Sequence, residues 1–547
     1  MGPPISPDLN LDEGKSGNDQ FGDRETNKIS LPGHWVITTI GTIAHVGTGT
    51  TPKRGEIEYW ENGDIPWVTS SAVNHSIISE GSEFVTSFAL SKTSLKIYPT
   101  NTLLIALYGE GKTRGKVSIL GLDATINQAL AAIVLDDKAS ECREFLKFFL
   151  LSNYQKTREH AAGGNQPNLN LGIVKSLEIP LAPINEQTRI VTTIESLQQR
   201  SSRARTLLSD IRLKLDNLRQ SILQAAFSGQ LTADWRAKNP DVEPADVLLA
   251  RIRTERRQRW ETAELEKFEA KGKKPPKNWQ DKYKEPEPVD DSELPDLPEE
   301  WCWANVDEVS TRVSVGHVGP TSEHYCDGDN GIPFLRSQNV RPRRLSEDGL
   351  NFITPEFHLT LTKSMLFEGD ILIVRVGANR GDTCRVPAGY SQLNCANIVF
   401  ARPIGEVSEF IELYCQSELG QQLLLGMSRG GAQGVINTTS IATLPIVMCS
   451  IAEQREIIRR VDAAFAAIQI ANKKIDYADG QVQTLDQSIL SKAFRGELVP
   501  QDPNDEPASE LLARIRAGRD SQATKKNAGK KKPRKKKAKT TSGSNAK

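Results

Sequence analysis

Residues 106–116 read ALYGEGKTRGK, and Gly111-Lys112-Thr113 within them has the composition of a loop that wraps nucleotide phosphates in backbone N–H groups. Such a loop needs a glycine five positions before Gly111, where this chain has Ala106, and it should open a helix facing the anion. The segments that follow, KVSIL and LAAIVL, are apolar and β-branched and predict strands instead. The stretch therefore reads as strand, glycine-bearing turn and strand, with positive charge at its tip. Nucleotide chemistry is not expected there.

Other catalytic sets are missing too. No Asn/Asp-Pro-Pro-Tyr/Phe segment of the kind amino-methyltransferases use is present; the Pro-Pro pairs fall at 3–4 and 275–276. The seven cysteines (142, 302, 326, 384, 395, 415 and 449) contain no Cys-x-x-Cys, which argues for reduced thiols and against structural zinc. The chain is expected to be non-catalytic by itself, with no metal and no cofactor of its own.

The residues that remain suit nucleic acid. Arginine pairs bidentately with guanine, Asn or Gln with adenine, and Lys or Ser with phosphate oxygens. In the first half these are Lys53, Arg54, Thr69, Ser70, Lys112, Arg114, Lys116, Asn165 and Gln166. In the second half FLRSQNVRPRR (334–344) carries Arg336, Gln338, Asn339, Arg341, Arg343 and Arg344, and Arg380, Arg385 and Gln433 follow. Any one of them alone reads as a solvated surface group; clustered in both halves, they favour DNA.

Those two clusters sit on one frame written twice. Leu31-Pro-Gly-His-Trp35 matches Leu297-Pro-Glu-Glu-Trp301, Ile65-Pro-Trp67 matches Ile332-Pro-Phe334, and SILQAAFSGQL (221–231) matches SILSKAFRGEL (488–498). EPADVLLARIR (243–253) likewise matches EPASELLARIR (506–516). The stretch equivalent to the Gly-Lys-Thr loop is Val376-Gly-Ala-Asn-Arg-Gly-Asp-Thr-Cys-Arg385, which lacks that tripeptide. Scaffold positions agree between the copies, whereas Thr69-Ser-Ser-Ala faces Arg336-Ser-Gln-Asn and Gln128 faces Cys395. Equal frames with unlike tips suit a reader of two different targets; neutral drift after duplication is the plainer alternative. Trp35 and Trp301 are expected in the core, and Gly163-Gly164 and Gly430-Gly431 in turns.

What positions the tips is helical. Apolar residues at alternating steps of four and three run through Ile190, Ile194, Leu197, Leu208, Ile211, Leu215, Leu218 and Ile222. The second copy repeats the seam at Ile457, Val461, Ile468, Ile475, Val482, Leu485 and Ile489. Each helix spans about 40 residues, hence roughly 60 Å, and the two are best satisfied by packing on each other. The expected fold class is α+β: two tandem α/β domains separated by two long helices that pair as an antiparallel coiled coil. Parallel pairing would set the two globular copies side by side. Helices are also predicted from Glu144 to His160 and from Glu409 to Met427.

Composition agrees with this. The formal net charge is zero, but Lys525–Lys539 holds ten bases and no acid, leaving a mildly acidic body of 59 bases against 69 acids. No run of 18 apolar residues exists, so no membrane partner is expected and a cytoplasmic location is. The expected division is 1–29 leader, 30–185 first globular domain, 186–253 long helix and following helix, 254–296 charged and Pro-rich connector whose first part can continue as an exposed helix. Then come 297–450, the second domain, 451–516, the second long helix with its following helix, and 517–547, a Lys-rich tail.

Tandem globular units, each followed by a long helix introduced by a Pro-x-x-Glu-Gln-x-x-Ile-like segment (Pro183 to Ile190; Ile451 to Ile457 without the Pro), resemble the specificity subunit of type I restriction–modification systems. The helix endings and the two EPA…LLARIR segments carry the same resemblance, which spans about residues 30–516. It implies two target-recognition domains, each reading one half of a split, asymmetric DNA sequence, and helices that act as spacer and docking surface. It implies as partners double-stranded DNA, two modification (methyltransferase) subunits that use S-adenosylmethionine to methylate adenine N6, and two restriction (motor and nuclease) subunits that use ATP and Mg2+. A coiled-coil scaffold that never touches DNA is the competing reading, favoured by the acidic body. A reader for a type IIB-like nuclease–methylase is a third.

Overall fold

The computed structural model describes residues 31–108, 113–153, 169–426 and 434–529, with side chains described as far as residue 521. The chain divides into two compact units. One comprises the residues up to Arg205 together with those from Gly480 onward; the other is Thr206–Asp479. Each unit thus joins one globular copy to the opening of its own long helix and the close of the other.

In the first unit, strand Val36–Thr39 pairs antiparallel with Glu178–Leu181, so the globular domain begins and ends side by side. A five-stranded sheet follows in the order Ala44–Thr48, Leu130–Leu135, Leu103–Ala106, Val117–Leu120, Ile77–Ile78. Its central strand LLIA is buried throughout because both faces are covered. Leu103 and Ile105 join the cluster under the helices, while Leu104 and Ala106 join a second cluster behind the sheet, as the two-residue strand period requires. A three-stranded sheet of Glu83–Val85, Ile65–Val68 and Thr125–Ile126 carries the loops beyond.

The second unit repeats this plan. Cys302–Asn305 pairs with Pro445–Met448. A four-stranded sheet runs Ser310–Val315, Ile398–Pro403, Ile371–Val374, Thr383–Arg385, and again Ile371 and Ile373 face one cluster while Leu372 and Val374 face another. A second sheet contains Tyr325–Cys326, Asn351–Ile353, Ile332–Leu335 and Asn394–Cys395. The hairpin Val340–Arg341 with Arg344–Leu345 belongs to this unit alone; at its aligned positions the first unit has the 3-10 turn Ser70–Asn74 and strand Ile77–Ile78.

The long helices are Ile184–Phe227 and Ile451–Ala493. Within the first unit Glu186 meets Gln501, Arg189 pairs with Asp505, and Arg205 pairs with Asp486 at 2.5 Å. Within the second, Arg212 pairs with Asp476, Arg219 lies over Phe465, and Arg460 pairs with Asp234. In the second unit the partner's number falls as the first helix advances, from Asp476 at Arg212 to Phe465 at Arg219, so the helices run antiparallel there. Both end at a glycine in the left-handed region, Gly229 (φ +76) and Gly496 (φ +73). A Cβ there would come within 2.4 Å of Pro298 and Pro32 respectively. The repeated Leu-Pro-x-x-Trp and Ser/Arg-Gly-x-Leu segments are thus two halves of one contact, with partners drawn from different copies.

Four expectations need correction. The helix predicted from Glu144 is Arg143–Ser152, and residues 154–168 lie outside the described set; the one predicted from Glu409 is two helices, Ser408–Cys415 and Glu418–Gly426. The connector's first part does continue as a helix, within Ala245–Ala270, as its charged sequence allowed, with Trp260 stacked on Trp279 and Tyr283 folded back against it. The last helix, Ala508–Gly529, runs past the expected tail boundary at 517. The seam is also shorter than predicted. Ile190, Ile194, Ile457, Val461, Ile468, Ile475 and Ile489 are buried, and Leu197, Leu208, Leu215, Ile222 and Val482 are half-buried. Ile211, Leu218 and Leu485 are instead 45, 47 and 51 % exposed. Two helices alone cover only a narrow stripe of each other, and a straight helix drifts off a seven-residue repeat.

Candidate nucleic-acid interface

In the first unit the described candidates form one polar rim. Arg54 holds Glu83 through two hydrogen bonds, one of them at 2.8 Å, and its guanidinium lies 4.1 Å from the Trp60 ring centroid. The hydrogen bonds to Glu83 raise the Arg54 pKa further above its usual value. Next to Glu83, Ser82 accepts from the Thr69 backbone at 3.1 Å, and the Thr69 hydroxyl meets Ser71 at 2.7 Å. Ser70 opens the 3-10 turn that ends at Asn74, where Lys116 Nζ donates to Oδ1 at 2.6 Å. Lys53 is exposed and Arg114 half-buried. Lys112, Asn165, Gln166 and Gln433, with Gly163-Gly164 and Gly430-Gly431, lie outside the described residues.

In the second unit the candidates divide. Arg336 and Gln338 are exposed, Gln338 leaning on Gly349 O at 2.9 Å. Asn339 is fully buried: its Oδ1 accepts from the Arg336 backbone at 2.9 Å and its Nδ2 donates to Ser346 O at 2.9 Å. Its amide holds the loop together, so the expectation that it contacts DNA is corrected to a scaffold role. Arg341 donates to Val340 O at 2.8 Å, and Arg380 to Gly434 O at 2.6 Å. Arg385 turns inward, 3.7 Å from Glu409. Trp35 and Trp301 are buried, as their repeat positions predicted.

The sequence reading left one constellation out. Arg343, Arg385, Glu409, Glu412, Asp462 and Arg219 line a cavity of about 850 Å3 against the long helices. Burial pushes the Glu412 carboxyl up, against the Arg385 backbone N–H that it accepts at 2.8 Å and the Arg343 and Arg385 charges. Burial also lowers Arg219, and the nearby Arg343 charge adds to that. The only sequence signal was the Arg-Pro-Arg-Arg run, which marks a turn. Nothing local showed that its third residue reaches a helix more than a hundred positions away.

Basic and amide side chains on loop tips, set on two like frames, can hold phosphate oxygens and base edges. Among the described residues no group of His, Cys, Asp and Glu has the makings of a metal site, and no helix is long and apolar enough to cross a membrane.

Residues 32–209 match the family described as the type I restriction modification DNA specificity domain. The chain is 22 % identical over 521 residues to the specificity subunit of the type I restriction enzyme EcoKI of Escherichia coli (strain K12), covering 92 % of this chain and 99 % of that one. It is 25 % identical over 401 residues to the EcoDI specificity subunit of Escherichia coli, covering 71 % of this chain and 79 % of that one. Among solved structures, a chain from work on complex assembly and conformational transition of the type I R-M system superposes with a TM-score of 0.58 at 18 % identity. That match covers 86 % of this chain and all of the other, and it bears on the fold.

Proposed function

Because the chain belongs to the specificity subunits of type I restriction–modification systems, we propose that each of its two globular domains reads one half of a bipartite, asymmetric DNA target. The observation that carries this reading is the pairing of like frames with unlike tips. The rim from Arg54 through Thr69 to Lys116 belongs to one domain, and the Arg336–Arg344 hairpin region to the other. Two different tips on one scaffold recognise two different half-sites, and phosphate contacts from the lysines fix register without adding sequence information.

The long helices serve as spacer and as the docking surface for two modification subunits. Support comes from apolar residues left open on them: within the second unit Leu207, Ile211, Leu213, Leu218, Ile470 and Tyr477 are each at least 45 % exposed. Exposed apolar area concentrated on one element marks a partner surface. The partners bind S-adenosylmethionine and methylate adenine N6, and motor and nuclease subunits add ATP- and Mg2+-dependent restriction. This chain contributes recognition and no catalytic group.

Genome-wide mapping of methylated adenines, with and without this chain, tests the proposal. A motif with unlike halves that vanishes on deletion is the expected result. Methylation unchanged by deletion would sink it.

A further inference from the structure

The hairpin Val340–Arg341/Arg344–Leu345 turns through Pro342 and Arg343. Arg343 sits at φ +57, a left-handed conformation that is unfavourable for a residue with a Cβ. Only a strong set of contacts sustains such a residue. Its backbone N–H donates to Thr383 O at 3.1 Å, and Nη1 donates to Asp462 Oδ1 at 2.8 Å. Glu409 lies 3.7 Å and Glu412 4.0 Å from the same guanidinium. Asp462 follows Val461, a fully buried seam residue of the second long helix. One side chain therefore ties the turn between Arg341 and Arg344 to the helix seam. At the aligned places the first unit has Ser76 and Glu195, so this tie belongs to the second unit.

We infer that Arg343 is a positioning residue for reading the second half-site: through Asp462 it fixes the recognition hairpin to the long helix. The inference rests on the proposed function and names the residue that holds one of its two heads in place. Arg343 spends its charge on carboxylates of its own chain, so it acts through Arg341 and Arg344 and not by touching bases.

The test uses the full chain assembled with its modification subunits. Methylation kcat/KM is measured on duplexes carrying the mapped target, or that target with one base changed in either half. The variants are Arg343→Gly, Asp462→Asn and the two combined. Glycine accepts φ +57 freely, so Arg343→Gly should keep the turn while losing the pairing to Asp462, Glu409 and Glu412, and its thermal melt is read beside the kinetics. This variant should lose about tenfold of its discrimination against changes in the second half and none in the first, the scale of one base-reading contact misplaced. Asp462→Asn should shift the same discrimination by less, and the double variant should be no worse than Arg343→Gly alone. Discrimination kept at both halves, or lost equally at both, would overturn the inference. A parent complex that methylates with no preference for two unlike halves would instead overturn the proposed function, and the inference with it.

Discussion

The indole N–H of Trp301 donates to Glu453 Oε2 at 2.9 Å, and the same carboxylate accepts from Thr232 at 2.6 Å and from Arg236 at 2.7 Å. Trp35 and Glu186 repeat the bond at 2.9 Å in the first unit. Both glutamates are about 1 % exposed, so these bonds are what makes their burial tolerable. Glu453→Ala strands the Arg236 guanidinium, whose side chain is 17 % exposed. A stability loss of about 3–5 kcal/mol is expected in urea unfolding followed by tryptophan emission. A loss under about 1 kcal/mol would show that Arg236 finds another partner.

Gly496→Ala combines a left-handed backbone with a Cβ 2.4 Å from the Pro32 ring. At least about 2 kcal/mol should be lost, since the ring is rigid and the helix end is fixed by its own hydrogen bonds. Gly272, also left-handed (φ +61) but with open space around it, supplies the control, and Gly272→Ala should cost clearly less. Equal losses at the two sites would remove Pro32 from the explanation.

Arg336 and Asn339 are three residues apart and should separate cleanly. Arg336→Ala is expected to leave the melting temperature near the parent's while weakening recognition of the second half-site about tenfold or more. Asn339→Ala removes a fully buried amide that satisfies both a backbone N–H and a carbonyl. It should lower stability by about 1–3 kcal/mol. Half-site methylation rates read beside thermal melts decide between the two roles.

Glu412 gives the pH response a definite sign. Burial holds its folded-state pKa above the unfolded value of about 4.3, so in the window above that value the native state binds more protons than the unfolded chain. Its contribution to stability therefore falls as pH rises through that window. Glu412→Gln keeps an oxygen for the Arg385 N–H and should flatten that part of the melting temperature–pH curve. An unchanged slope would assign the effect to other carboxylates.

Ile211 and Leu218 lie on one face of the first long helix, and both are nearly half exposed. Replacing both with Glu should leave the isolated chain's melting temperature within a few degrees of the parent and reduce co-purification with the modification subunit at least about tenfold. Undiminished assembly would move the docking surface elsewhere.

The repeat, the strands and the long helices were legible because their signals are local and periodic. The interleaving of the copies was not. Nothing in Ser-Gly-Gln-Leu says that Gly229 closes on Pro298, the proline of the other copy's opening segment, because long-range pairing leaves no period. Among the tips, Arg336 and Gln338 are exposed as their charge and polarity suggested, whereas Asn339 and Arg385 face inward. Polarity predicts that a side chain will be satisfied, and a folded loop satisfies it as well as a ligand does. Arg343 read as one more DNA-facing arginine of its run because its partners lie on other elements, at 409, 412 and 462.

Strands Val36–Thr39 and Glu178–Leu181 leave the first globular domain as paired leads, with Trp35 just before one and Glu186 just after the other. The leads with Trp35 and Glu186 form a socket, and the domain between them also packs Phe145 and Phe149 on Phe494 and pairs Asp136 with Arg519. Cys302–Asn305 and Pro445–Met448, bracketed by Trp301 and Glu453, form the same socket again. Under the proposed function, a change confined to the loop tips of one domain alters one half-target and leaves both sockets and the long helices as they are.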